Sequence, residues 1–211
     1  MKQARELPTL HSVDLRGVGR VVLTVGPQQK VEVEGHEAVL PHVRTDVRDG
    51  VLVVGLRWWL GSVLHVGELG KVLVRVTVPQ LRGIRLSGAG EMGSEGTLKV
   101  EDLDLRLSGA GRVALDLQAH RVEARLSGAG AVDLTGTAEA LEIRLSGAGT
   151  VRAERLQARR VRIKSSGAGD CRVNASEDLE AEVSGAGRIR YVGRPRVESR
   201  VSGAGKVVAL D

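Results

Sequence analysis

The chain has 211 residues, of which 42% are hydrophobic, and its formal net charge at pH 7 is +5. This length suits one large β domain or two small ones, and the charge is too small for a dedicated nucleic-acid-binding protein. The sequence has no phenylalanine and a single cysteine, which excludes an intrachain disulfide and a cysteine-based zinc site. No apolar run is long enough for a membrane-spanning helix, and the first residues lack the apolar segment of an export signal.

Residues 1–80 are predicted to form a β section that caps the repetitive part of the chain. Asp49-Gly50 suits the tight turn of a β-hairpin. We expect an antiparallel or mixed sheet, because an uncovered solenoid end exposes apolar side chains and unpaired backbone. Four segments have the alternation of strands: RVVLTV from Arg20, KVEVEG from Lys30, VLVVGL from Val51 and KVLVRVTV from Lys71.

Trp58 and Trp59 lie in the segment GLRWWLGSVLHVGELGK, between two of these predicted strands. Adjacent residues of a strand face opposite ways, so one ring would be buried and the other exposed. Two interpretations stay open. The rings pack against the rest of the fold, or an exposed ring contacts a partner or the surface of a membrane.

The tetrapeptide SGAG occurs seven times, at intervals of 18 to 21 residues. A fixed short period is typical of a solenoid. Within a unit the apolar residues alternate, as Leu141, Ile143 and Leu145 do around Glu142 and Arg144, which indicates strands. The sequence therefore predicts an all-β fold, a right-handed parallel β-helix of about seven turns over residues 81–211, with ~19 residues a turn. The serines of SGAG are Ser87, Ser108, Ser127, Ser146, Ser166, Ser184 and Ser202.

Matching positions of successive units are predicted to stack into columns along the solenoid. Two of these columns are charged, and the acidic one offsets the repulsion within the basic one. They predict a flat, charged wall on which Arg106, Arg125 and Arg144 are candidate contacts for a partner. The basic column comprises Arg85, Arg106, Arg125, Arg144, Lys164, Glu182 and Arg200. Two residues earlier in each unit stand Gly83, Asp104, Glu123, Glu142, Arg162, Glu180 and Glu198.

SGAG is interpreted as a structural corner, because glycine allows a positive φ and lets neighbouring backbones approach closely. The alternative is that the stacked serine hydroxyls and backbone N–H groups bind anions or sugars. Cys171 falls in an apolar column with Val151 and Ile189, so we expect a buried, inert thiol.

The sequence contains none of the motifs HExxH, GxxxxGK[ST], GxSxG or CxxC. Its five histidines show no metal-ligand spacing, and we predict no catalytic residue, cofactor or metal. One enzymatic alternative remains, because β-helices also host polysaccharide-active enzymes. The carboxylates available for it, Asp104, Glu123 and Glu142, each precede an arginine by two residues, and ionised, paired carboxylates are poor general acids.

The repeated SGAG units resemble the bacterial family called putative auto-transporter adhesin, head GIN domain. Further residues that carry the resemblance are VTVPQLRGIRLSGAG from Val76 and VEVEGHEAVLPHVRTDVRDGVLVV from Val31. The resemblance covers nearly the whole chain. It implies a β-helical, non-catalytic and usually exported protein.

The predicted function is a non-enzymatic binding or scaffold module of the cell surface or periplasm. It would act on an unknown surface ligand or glycan through the charged wall and the tryptophan segment, and not on nucleic acid. We also expect the chain to form a homo-oligomer through its last turn, and a second alternative function is a self-assembling structural protein. The absence of an export signal keeps the cytoplasm open as a location.

Overall fold

The computed structural model describes residues 1–56 and 72–210 and consists almost entirely of β-strands. A 3₁₀ turn, Leu40–His42, is the one helical element in these ranges. The segments predicted as strands before residue 80 are strands. The strands are β1 (Lys2–Ala4), β2 (Ser12–Gly17), β3 (Arg20–Val25), β4 (Lys30–Glu34), β5 (Val43–Arg48), β6 (Val51–Leu56), β7 (Leu73–Val78), β8 (Gly83–Gly88), β9 (Glu91–Gly109), β10 (Arg112–Gly128), β11 (Ala131–Gly147), β12 (Thr150–Gly167), β13 (Asp170–Gly185), β14 (Arg188–Val192), β15 (Arg196–Ser202) and β16 (Lys206–Ala209).

The repeat folds as a β-solenoid of about seven turns, as predicted from its period. Each of the long strands β9 to β13 makes most of one turn and pairs in parallel with the strands before and after it. The register confirms the predicted columns, since Leu107, Leu126 and Leu145 are successive partners, and so are Val132 and Val151. The right-handed coil stays a prediction.

The coil begins earlier in the chain than the sequence pattern indicated. β2 and β3 form one further turn, which pairs in parallel with β8 and β9. Leu15 lies beside Leu86, and Gly17 lies beside Gly88. Gly17-Val-Gly19 therefore forms the same corner as SGAG without its serine or alanine. A domain boundary near residue 80 stays a prediction, but the strand pairing runs on without interruption across it.

A mixed sheet covers the first turn of the solenoid. β6 and β7 pair in parallel with β2 and β3, whereas β4 and β5 pair antiparallel with β7 and β6, and β1 adds antiparallel to β4. The predicted hairpin turn joins β5 to β6. Its two residues, Asp49 and Gly50, have φ values of 51° and 72°, as the two-residue turn of a twisted hairpin requires.

The interior is built from the stacked apolar columns. Val113, Leu126 and Ile143 are typical members, each less than 5% exposed. Their thin side chains suit the narrow interior of a coil whose backbone pairs above and below. Cys171 is fully buried among them, and burial raises the pKa of its thiol.

The two glycines of each SGAG corner serve different purposes. The first, such as Gly147, has a positive φ (111°), and a Cβ there would lie 2.6 Å from the carbonyl oxygen of Gly128 in the preceding turn. The second, such as Gly130, leaves room for the backbone of the preceding turn and for the side chain of Leu107. The structural interpretation of the motif therefore has a direct geometric basis.

Corner backbones also bond to one another along the axis. The N–H of Ala148 donates to the carbonyl of Gly128 over 3.0 Å, and the N–H of Thr150 donates to that of Gly130 over 3.0 Å. Equivalent pairs recur from turn to turn. The backbone donors of the corner are thus used within the solenoid, which removes most of the anion-binding role considered for them.

Candidate functional site

The outer face of the solenoid carries a furrow of about 1270 Å³ that runs along the axis. Two stacked columns of side chains form its walls, and the backbone of the apolar column between them forms its floor. The charged wall predicted from the sequence therefore carries a furrow that is open to solvent. The arginine column consists of Asp14, Arg85, Arg106, Arg125, Arg144, Lys164, Glu182 and Arg200, and the serine column of Arg16, Ser87, Ser108, Ser127, Ser146, Ser166, Ser184 and Ser202.

The strand alternation places these two columns on the outer face. In the unit RLSGAG the arginine and the serine have the same parity, and the leucine between them points inwards. Leu107, Leu126 and Leu145 are accordingly 2–4% exposed, while Arg144 and Ser146 are exposed. Parallel pairing then repeats the arrangement in every turn at ~4.8 Å intervals.

Acidic residues beside the furrow neutralise most of the arginine column. Asp104 accepts bonds from Arg106 (2.9 Å to Nε) and from Arg125 of the next turn (2.9 Å to Nη1). Arg125 also contacts Glu123, and Arg144 contacts Glu142 at 2.8 Å. Hydrogen bonding to Asp104 raises the pKa of Arg106. Ion pairs therefore form both within a turn and between successive turns.

Arg85 is the exception in this column. Its turn has Gly83 where the next three turns have Asp104, Glu123 and Glu142, and no carboxylate lies within ion-pair distance of it among the described residues. The turn below offers Asp14, but that carboxylate pairs with Arg16 at 2.8 Å. Arg85 is thus the cation of the furrow that is most available to a ligand.

The serine column presents hydroxyl groups to the furrow. Ser146 donates to the carbonyl of Leu126 over 3.3 Å, and it is the one SGAG serine with a protein partner for its hydroxyl among the described residues. Ser108, Ser127 and Ser166 are exposed. A hydroxyl can both donate and accept, so this column offers adaptable polar contacts.

The carboxylates that line the furrow are poorly suited to proton transfer. Asp14 is 6% exposed and is held by Arg16. Glu182 pairs with Lys164 at 3.0 Å, and the hydrogen bond from Lys164 lowers the pKa of Glu182. A general acid needs a raised pKa, so the environment of Glu182 does not suit one.

A second concavity, of about 1000 Å³, lies on another side of the solenoid and includes His120 and Glu139. It mixes both charge signs and has no stacked column of equal side chains. Residues 1–56 and 72–210 contain no group of three or more histidine, cysteine or acidic side chains that could hold a metal ion. Within the same ranges, no helix has the length and apolarity to cross a membrane.

The structure brings the predicted contacts Arg106, Arg125 and Arg144 together in one wall of the furrow. Trp58 and Trp59 lie outside the described residues. Sequence analysis missed Asp14 and Arg16 as furrow residues. The signal for them was the Leu15-x-Gly17-x-Gly19-x-Val21 pattern, which repeats the spacing of Leu-Ser-Gly-Ala-Gly-x-Val.

Residues 9–195 match the family model described as putative auto-transporter adhesin, head GIN domain. No curated protein matches the sequence. The structure is similar to that of a putative adhesin from Bacteroides fragilis, with a TM-score of 0.90 and 25% identity, over 100% of this chain and 96% of that chain.

Two further structures share the fold over 100% of this chain and 96% of their own. One is a putative lipid binding protein from Parabacteroides distasonis, with a TM-score of 0.79 and 16% identity. The other is a putative adhesin from Parabacteroides merdae, with a TM-score of 0.76 and 21% identity.

Proposed function

The chain belongs to the family of putative auto-transporter adhesins with a head GIN domain, and from this premise we propose that it is a non-enzymatic binding module of the cell surface or periplasm. Its ligand is an extended polysaccharide that carries carboxylates, bound lengthwise in the furrow. The observation that carries this proposal is the furrow itself, which keeps a basic wall and a serine wall over the five successive turns from Arg85 to Lys164.

The repetition of the furrow favours a ligand that also repeats. Equal side chains recur at the ~4.8 Å spacing of paired strands. An extended peptide advances by only ~3.3 Å a residue, so its residues would lose register with the side chains of the furrow within a few turns. One sugar of an extended glycan advances by a distance close to the strand spacing, so successive sugars meet successive turns in the same way.

The chemistry of the walls favours carboxylates and hydroxyls. Arg106 and Arg144 bond to their acidic partners through Nε and Nη2, which leaves the Nη1 of both without a protein partner. Arg85 has its whole guanidinium group available. Guanidinium groups bind carboxylates strongly, and the serine hydroxyls of the opposite wall can bond to ring hydroxyls.

The same walls support a role without catalysis, because the carboxylates of the furrow are ion-paired. The proposed contact through Trp58 and Trp59 would add an apolar surface for a sugar ring. The proposal places the protein outside the cytoplasm, as the family description suggests. Recovery of the native protein from the cytoplasmic fraction of its host would contradict that location.

Binding of polygalacturonate, measured by calorimetry with dextran as the uncharged comparison, tests the proposal. Replacing Arg85 by Gln and Ser127 by Ala in one chain removes one free guanidinium and one hydroxyl from the furrow. We expect the double variant to bind polygalacturonate at least fivefold more weakly than the parent chain. Dextran should bind more weakly than polygalacturonate to both.

Exposed polar residues elsewhere on the solenoid provide the matched control. Thr137→Ala and Arg155→Gln remove a hydroxyl and a guanidinium outside the furrow, and this double variant should bind as the parent chain does. Equal loss in both double variants, or no binding of polygalacturonate to the parent chain, would refute the proposed ligand and site.

A further inference from the structure

The last turn of the described solenoid has an open edge. β15 pairs only with β13, and β16 pairs only with β14, among the described strands. All seven residues of β15 are exposed. Val197 and Val201 are 39% and 45% exposed, although their partners Leu179 and Val183 in the preceding turn are buried.

From this edge we infer that the chain forms a twofold-symmetric dimer in which β15 of one copy pairs antiparallel with β15 of a second copy. The inference does not rest on the furrow ligand. At the N-terminal end of the solenoid the sheet finishes on β1 and β5, and head-to-tail stacking would have to pair β15 with one of these unlike strands. Two equal C-terminal edges can still meet around a twofold axis.

The sequence of β15 specifies one register for this pairing. A twofold axis normal to the sheet requires that one residue lie opposite its own copy, because opposed residues must share a face of the sheet. With Ser199 on the axis, Glu198 faces Arg200 of the second copy. Val197 then faces Val201 of the second copy, and Arg196 faces Ser202 of the second copy.

The two neighbouring symmetric registers each place like charges opposite one another. An axis at Arg200 puts this arginine opposite Arg200 of the second copy. An axis at Glu198 puts two glutamates together and sets Arg196 against Arg200 of the second copy. Like charges directly opposite destabilise a strand pair, whereas opposite charges and apolar pairs stabilise it. Of the three registers that pair at least five residues of β15, only the one centred on Ser199 avoids every such conflict.

The same register buries the two valines that the open edge exposes. Val197 and Val201 have the parity of the interior columns, so pairing them across the axis continues the core from one copy into the other. Ser199 stacks on Ala181, and two small side chains at the axis fit a close approach. The dimer also satisfies the outward N–H and C=O groups of β15, which are otherwise a hazard for aggregation.

Charge reversal at two exposed positions tests the register by light scattering over a concentration series. Glu198→Arg alone and Arg200→Glu alone each set like charges opposite one another twice, so each variant should stay monomeric. An equimolar mixture of the two should form a heterodimer. A chain that carries both substitutions should form a homodimer again, because opposite charges then face one another.

These substitutions should leave the fold unchanged, because both side chains are 70% exposed or more and their mutual ion pair is at the surface. Glu95→Arg, in an exposed pair on β9, is the matched control and should dimerise as the parent chain does. A parent chain that stays monomeric at every concentration would overturn the inference. Dimers of both single variants, or longer polymers, would also overturn it.

Discussion

Substituting Gly147 by alanine is expected to destabilise the solenoid strongly, although the change adds only one methyl group. The backbone of Gly147 has a φ of 111°, which L-residues with a side chain adopt at a cost of ~1–2 kcal/mol. Its Cβ would lie 2.6 Å from the carbonyl oxygen of Gly128, so the two corners must move apart. Such overpacking typically costs ~1–3 kcal/mol.

These two contributions predict a loss of about 2–4 kcal/mol in the free energy of unfolding. The reduced freedom of the unfolded chain returns ~0.4–1 kcal/mol and is included in that range. The corner cannot relax cheaply, because Gly147 also accepts a hydrogen bond from the N–H of Ala168 in the next turn over 2.9 Å. A shift would therefore strain the ladder in both directions.

Two other glycines separate the contributions. Gly96 has a φ of 74° but no atom within 4 Å of its Cβ position, so Gly96→Ala tests the backbone cost alone, about 1 kcal/mol after the return from the unfolded chain. Gly93 has no positive φ, and the nearest atom is the Ala114 carbonyl oxygen at 3.5 Å, so Gly93→Ala should be nearly neutral.

The measurement is urea unfolding followed by circular dichroism, with the three variants compared in one buffer. The expected order of stability is Gly93→Ala, then Gly96→Ala, then Gly147→Ala as the least stable. If Gly147→Ala were no less stable than Gly96→Ala, the contact with the preceding turn would carry no energy. The explanation of the repeated tetrapeptide by close packing of corners would then be refuted.

Two further predictions concern single polar side chains. Ser165→Ala should raise the free energy of unfolding by ~1 kcal/mol, because its hydroxyl is buried without a hydrogen-bond partner, whereas the exposed neighbour in Ser166→Ala should have no effect on the urea midpoint. Burial would raise the pKa of Asp133, but hydrogen bonds from Arg152 and Arg112 outweigh it and lower this pKa. Its contribution to stability is therefore present above the unfolded pKa of ~3.9 and is lost as the pH falls through the folded value. Asp133→Asn should accordingly lower the free energy of unfolding in urea by ~1–2 kcal/mol at pH 7 and by progressively less below pH ~4.

The period of the repeat was sufficient to predict the β-solenoid of residues 81–210. Each long strand pairs with a copy of itself one period later, so equal spacing determines the register as well as the architecture. Ser165 shows how robust this is, since it occupies a leucine position and still stacks between Leu145 and Val183. The Asp49-Gly50 hairpin was also predictable, because few dipeptides accept two positive φ values.

The first turn and the furrow were not predictable in the same way. Gly17-Val-Gly19 keeps the glycines that the corner requires but not the serine and alanine, which tolerate substitution because they face outwards. β6 and β7 follow this turn in sequence but lie before it in space, an order that no local pattern encodes. The furrow depends on how far arginine side chains rise above the sheet beside short serines, which alternation alone does not reveal.

The ion pairs that stabilise the register also determine how the furrow can bind. A column of unpaired arginines at the strand spacing would repel itself and would bind any polyanion through its charge alone. Here Asp104 and Glu142 take up much of that charge and fix the guanidinium groups of Arg106 and Arg144, so their free N–H groups point in set directions. Binding at the proposed site would then depend on whether a ligand places acceptors at the same intervals. Such a site would select for the repeat of its ligand more than for the ligand's net charge.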